Sequence, residues 1–263
     1  MLRLESGVLA EQPTQIAERF AMVPDCPICV PLGEHLSCGV VGKRARCVAL
    51  GKNLIVQAAA NHSYCDLRIV VLCEQEETAQ WEFCRWLPHC WDEGHTARLI
   101  ANTPETIRAL LERLEPVFSA RAAAGQSAGL GAAPRAKPWY LFVCAAPETV
   151  TQHAFMKFLT ANRRELGISV LYLFDRIDLL PEECHDILDC REAVGVLFER
   201  RHASRKQPFQ PEQVPQARYE QFARSMAPLR MEAKGAPALP RSVSFLQGYH
   251  VSRPSELALD KNW

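Results

Sequence analysis

The stretch from Leu36 to Leu72 constrains this chain more than any other. It reads as strand, glycine turn, helix, strand: HLSCGVVG, then KRARCVALGKNLIVQAAANH, then DLRIVVL. An apolar run ending in glycine suits a buried strand. The helix that follows places Cys47, Leu50, Gly51, Leu54, Ile55 and Ala58 on one face, at spacings of three and four. Gly51 on that face allows close approach to a sheet. This is the frame on which a Gly-rich loop would cradle phosphates with backbone N–H groups, closed by a Lys and a Ser or Thr. Here the turn is only Gly39-Val40-Val41-Gly42-Lys43-Arg44. The Lys is present, Arg44 stands where a magnesium-binding hydroxyl belongs, and the loop is too short to wrap a triphosphate.

The rest of the chain repeats the alternation. Leu67–Cys73, Ala97–Ala101, Trp139–Cys144 and Ile168–Phe174 read as strands, with Ile187–Cys190 and Val194–Phe198 as two more. Residues 8–20 predict a short helix, and Pro24, Pro27 and Pro31 keep the next segment extended. Thr103 and Pro104 open a helix with a stripe of Ile107, Leu110, Leu111, Leu114 and Val117. The Ala, Gly and Pro of 120–138 read as a loop. A helix over Glu148–Asn162 ends at Gly167. Strands alternating with amphipathic helices mean an α/β fold, a mainly parallel sheet covered on both faces. From about Pro208 the pattern becomes one helix, carrying Tyr219, Phe222 and Met226, and a Pro-rich tail.

Composition excludes several partners. The 30 basic residues balance the 30 acidic ones, so net charge is zero and nothing electrostatic favours nucleic acid or anionic membrane. No apolar run approaches a membrane span. The N-terminus lacks the basic-then-apolar order of a secretory signal. Eleven cysteines are many; at strand positions such as Cys38, Cys73 and Cys144, and at Cys47 on the helix, they serve as small hydrophobes in a reducing setting.

Together, several segments resemble the FtsK/SpoIIIE-type motor ATPases of bacterial type VII secretion, the EssC/EccC family. They are GVVGKR at 39–44, NHSYCDLRIVVL at 61–72, WEFCRWLPHCW at 81–91, LGISVLYLF at 166–174, LPEEC at 180–184, QFARSMAPLRM at 221–231 and SFLQGYHV at 244–251. The resemblance covers nearly the whole chain. It implies a RecA-like, P-loop NTPase-like fold and a place in a longer, membrane-anchored, oligomeric motor, on the cytoplasmic side of the membrane. Within that parent, residues 1–34 would be a lead-in and 35–207 the degenerate ATPase domain that precedes the FtsK-type domains. Residues 208–263 would be a C-terminal helix and linker toward the next domain. The partners implied are the motor's other domains and subunits and the secretion membrane complex.

Four residues are the nucleotide candidates: Gly39, Gly42, Lys43 and Arg44, with ATP and Mg²⁺ as the only cofactor the resemblance brings and none required. Against them stands the reading in which the glycines make a tight turn and Lys43 and Arg44 are solvated at an exposed helix start. A motor also needs carboxylates after the third long strand, to hold Mg²⁺ and position water. Here Ala145, Ala146 and Pro147 follow Cys144, and Glu148 begins a helix. Two independent parts have failed, so no catalytic residue is assigned. The expected function is a non-catalytic ATPase-like domain that couples a membrane anchor to active ATPase domains. The alternatives are an active or nucleotide-sensing module and an FtsK-like DNA translocase module.

Two other chemistries find less support. Cys26-Pro27-Ile28-Cys29 has zinc or dithiol spacing. Its possible partners, His62/Cys65, His89/Cys90 and Cys184/His185/Cys190, form no second clean pair, and no metal ligand is assigned. A nucleophilic enzyme lacks support, since there is no nucleophile-elbow motif and His153 and His185 have no evident serine or cysteine partner. Of the tryptophans at 81, 86 and 91, at least one of Trp81 and Trp86 is expected in the core.

Overall fold

A computed structural model describes residues 26–127 and 136–230, together with Ile16. The chain divides into two compact units after Ala227, and the first holds the whole sheet. The expected helix over 8–20, Pro24, most of the 120–138 loop's second half and the tail beyond 230 lie outside the described residues.

The strands are β1 (Ser37–Gly42), β2 (Leu67–Leu72), β3 (Ile100–Ala101), β4 (Trp139–Cys144), β5 (Ile168–Leu173), β6 (Asp186–Cys190), β7 (Gly195–Glu199) and β8 (Gln207–Phe209). They form one sheet in the order β3-β2-β4-β5-β1-β6-β7-β8. Pairing is parallel from β3 through β6, and antiparallel at β6–β7 and β7–β8. The α-helices are α1 (Leu32–His35), α2 (Arg44–Asn61), α3 (Thr78–Trp81), α4 (Pro104–Ser127), α5 (Pro147–Thr151), α6 (Met156–Leu159) and α7 (Gln216–Met226). The mainly parallel α/β sheet expected from the alternation is thus present.

Two cores flank it, as the pleat requires. On one face Val70, Leu72, Phe142 and Tyr172 pack against Leu111 and Phe118 of α4 and against Phe155 and Phe158. On the other, Ile69, Val71, Val143 and Leu171 pack against Cys47 and Ile55 of α2 and against Trp81 and Tyr219. With both faces covered, β1, β2 and β5 are buried along their whole length. Gly51 lets α2 lie close: a Cβ there would stand 2.6 Å from a methyl of Leu173.

Several local expectations change. The α4 stripe turns at Phe118, which is buried, while Val117 is 39% exposed; residues 107, 111, 114 and 118 follow the helical period more closely than 117. α4 runs on to Ser127 through the alanines expected as loop, because alanine is the best helix former. The single helix over 148–162 is instead two short pieces. Between them the His153 ring accepts the Phe155 N–H at 3.1 Å, a side-chain bond that replaces helical pairing. Strand β8 was not foreseen, and pairs Gly195–Leu197 with Phe209–Gln207.

Past β8, α7 packs on α2. Tyr219 and Ala223 are buried, and the Tyr219 hydroxyl donates to Asn53 Oδ1 at 2.6 Å. This explains why α2 is buried beyond its predicted face, at Val48, Lys52 and Asn53. Lys52 Nζ donates to the side-chain oxygens of Gln80 and Gln216 at 2.9 and 2.7 Å. Trp81 is fully buried, whereas Trp86 packs partly buried beneath the Arg224 guanidinium, 4.2 Å from its ring centre.

Candidate functional site

Parallel strands end together, and open α/β sheets place ligands at those C-terminal ends. The four nucleotide candidates lie on β1 and at the start of α2. Gly39 faces inward: a Cβ there would sit 2.4 Å from a methyl of Leu180. Gly42 has φ of +141° and lies against β6, where a Cβ would meet the Cys190 carbonyl carbon at 2.7 Å. Each glycine is therefore accounted for by packing within the fold. Lys43 is exposed, at the N-cap of α2.

Arg44 departs from the solvated position expected of it. Its side chain is only 24% exposed. Its Nε and Nη2 grip the Glu77 carboxylate, Nη2 at 2.7 Å from Oε2 and Nε on Oε1. Nη1 donates to the Leu173 carbonyl at 2.6 Å, and Nη2 also donates to the Ala145 carbonyl. Asp175 Oδ1 lies 3.9 Å from Nη1. Burial opposes the guanidinium charge, but the hydrogen-bonded Glu77 carboxylate and then Asp175 outweigh it and hold the group charged. Glu74, close by, has its carboxyl pushed up by burial despite the Arg44 charge.

One side chain thus ties the ends of four strands. Arg44 follows β1, Leu173 closes β5, Ala145 follows β4, and Glu77 lies beyond β2. The two positions where the parts of a phosphate-transfer site were sought meet here. The residue at the hydroxyl position reaches across β5, and its contact at β4 is the backbone of Ala145, where a carboxylate was sought. Glu148 sits in the first turn of α5. Sequence reasoning named Arg44 but missed Glu77, whose only signal was a carboxylate shortly after an apolar strand.

Two of the thiols, Cys47 and Cys73, border this site and feel the Arg44 charge. All eleven cysteines are free; Cys26, Cys29 and Cys65 are exposed and the other eight buried. Burial pushes Cys47 and Cys73 up to about 12 and Cys190 to about 11, so they remain protonated packing groups.

No family model matches the chain. It is 26% identical over 256 residues to the ESX secretion system protein EccC of Geobacillus thermodenitrificans, across 97% of this chain and 17% of that protein. It is 24% identical to the ESX secretion system protein YukB of Bacillus subtilis, with the same coverage. The type VII secretion system protein EssC of Staphylococcus aureus is also 24% identical, over 264 residues. The chain therefore spans about a sixth of the length of these relatives. Among solved structures, EssC (ATPases 2 and 3) from G. thermodenitrificans superposes with a TM-score of 0.54 at 9% identity, covering 74% of this chain and 45% of that one. The cytoplasmic domain of the type VII secretion ATPase EccC of Thermomonospora curvata gives 0.51 at 15% identity, covering 74% and 28%. Those likenesses establish the RecA-like fold. They give the chain the fold of the ATPase domains of EssC and EccC, and along nearly its whole length its sequence is similar to the type VII secretion proteins EccC, YukB and EssC.

Proposed function

We propose that this chain is a non-catalytic ATPase-like domain of a membrane-anchored type VII secretion motor, coupling the anchor to the active ATPase domains that follow. Residues 35–207 form the ATPase-like domain in this reading. The segment from 208 onward supplies the packed α7 and then a linker toward the first FtsK-type domain. The parent would be a homo-oligomer at the cytoplasmic face of the membrane, partnered by the other parts of the secretion complex. Among the described residues, no helix is long and apolar enough to cross a membrane.

The observation that carries this reading is the Arg44–Glu77 fork. Where a magnesium-binding hydroxyl would belong, the chain carries a guanidinium already bonded to a carboxylate and two carbonyls. An arginine has no lone pair to offer Mg²⁺. The role left to such a site is structural, holding strand ends in one arrangement that neighbouring domains can sense. The test is ATP turnover by the purified chain with Mg²⁺. We expect none above background, and a change of at most a degree or two in melting temperature at millimolar Mg-ATP. Turnover abolished by Lys43→Ala would overturn the reading. A shift of many degrees without turnover would make the domain a nucleotide sensor, and salt-dependent retention on DNA would revive the translocase alternative.

A further inference from the structure

At the opposite end of the sheet, where the parallel strands begin, one side chain meets a neighbouring pair that lies far from it in sequence. His35 is the last residue of α1. Leu36 turns the chain through a left-handed conformation, φ +66°, into β1. Asp186 opens β6, with His185 just before it, and β6 pairs in parallel with β1, Cys38 beside Asp186. The backbone there is pinned: the His185 N–H donates to Ser37 Oγ at 3.1 Å, and Ser37 Oγ donates to the Glu183 carbonyl at 3.2 Å.

The geometry points to a three-ligand transition-metal site formed by His35, His185 and Asp186, of a kind suited to Zn²⁺. His35 Nδ1 lies 2.8 Å from Asp186 Oδ2, and His185 Nδ1 lies 3.0 Å from Asp186 Oδ1. One ligand atom from each of the three falls within 4.8 Å of the others. The imidazoles lie face to face, with centroids 4.0 Å apart and planes tilted by 30°. The carboxylate is 4% exposed, while the rings are 28% and 36% exposed. A buried carboxylate is costly unless compensated, and here it faces two imidazoles rather than a lysine or arginine.

Two imidazoles and a carboxylate are a borderline nitrogen–oxygen donor set, the kind that binds Zn²⁺ with a fourth position left to water. With zinc bonds of about 2.0–2.2 Å, tetrahedral ligand atoms stand about 3.3 Å apart. The two imidazole–carboxylate separations need to widen by only about half an ångström, the remaining pair of ligand atoms already lies within 4.8 Å, and the partly open rings leave a route in. Hydrogen bonding alone would satisfy the carboxylate, but it leaves unexplained why the second ring stacks beside the first on the same buried group. This site is independent of the Arg44 site, which lies at the other strand ends. The CxxC pair at Cys26 and Cys29 brings together no third ligand among the described residues.

The experiment uses the full chain with Cys26, Cys29 and Cys65 changed to Ser, which removes the exposed thiols that would compete. Co²⁺ is titrated in and followed by visible absorption, then displaced with Zn²⁺. We expect one equivalent of Co²⁺, a ligand-field spectrum without thiolate charge transfer, and displacement by Zn²⁺. His35→Gln and His185→Gln, at partly exposed positions, should each weaken binding at least about tenfold, as should Asp186→Asn. Melting curves without metal confirm that each variant folds. A spectrum that never departs from free Co²⁺, or an affinity unchanged by His35→Gln in a folded protein, overturns the proposal.

Discussion

Arg44 and Glu77, 33 residues apart, face each other as fork and carboxylate, with two parallel N–H···O bonds. Such bidentate pairs are among the stronger charge-assisted contacts, and this one is partly withdrawn from water. Removing the guanidinium strands Glu77 and frees the Leu173 and Ala145 carbonyls. Arg44→Ala should therefore cost about 1–3 kcal/mol, a fall of several degrees in melting temperature at about 2–4 °C per kcal/mol. Arg44→Lys should recover only part of it, because an ammonium cannot make the planar fork. An unchanged melting temperature for Arg44→Ala would show that the fork is incidental.

Lys43, one residue earlier, should behave in the opposite way. It is exposed and lies outside the packing. Surface changes of this kind alter stability by less than about 0.5 kcal/mol. Leu171, fully buried in the centre of β5, should cost about 2–5 kcal/mol as Leu171→Ala. Leu54, only partly buried against the same core, should fall between them. Denaturant midpoints measured side by side check the order. If Lys43→Ala proved as damaging as Leu171→Ala, stability would depend on something bound at the α2 start.

The Tyr219 hydroxyl makes its bond to Asn53 in a buried setting. Tyr219→Phe leaves Asn53 Oδ1 without that donor and should cost about 1–3 kcal/mol. It should also loosen α7 selectively, which hydrogen exchange would show as faster exchange at 216–226. Equal exchange in both proteins would mean that α7 is held by its apolar contacts alone.

How far the sequence could be read follows from the range of each signal. β1, α2, β2, β4 and β5 were legible because burial on both faces writes continuous apolar runs, and glycines mark their ends. Phe118 was missed by one position because an apolar Val117 sits beside it. β8 is three residues with one Pro, too short to carry a pattern. At the nucleotide-site position, the missing hydroxyl was plain in the sequence, but Glu77 was not. An ion pair across 33 residues leaves no local trace. The same holds for His35 and Asp186, which only the parallel register of β1 and β6 brings together.

His89 offers a test by pH. It is fully buried in the turn between Pro88 and Cys90. Its Nε2 lies 2.8 Å from the His62 carbonyl, so the proton sits on Nε2. Nδ1 is buried and has no hydrogen-bond partner. Protonating it would bury a second N–H with nothing to accept it. Burial is the main cause that holds the folded pKa below the ordinary histidine value, with the Arg68 charge adding to it. The sign follows: the unfolded chain takes up its proton near pH 6.5, whereas the folded chain resists until lower pH. The unfolded state then binds more protons, so stability is full above about pH 6.5 and is lost as pH falls through that value toward the lowered folded one. A neutral His89→Gln variant should start less stable at about pH 7.5 and lose less on going to about pH 5.5. The measurement is the difference in denaturation midpoint between the two pH values for each protein. Equal losses in both would assign the acid sensitivity to other groups.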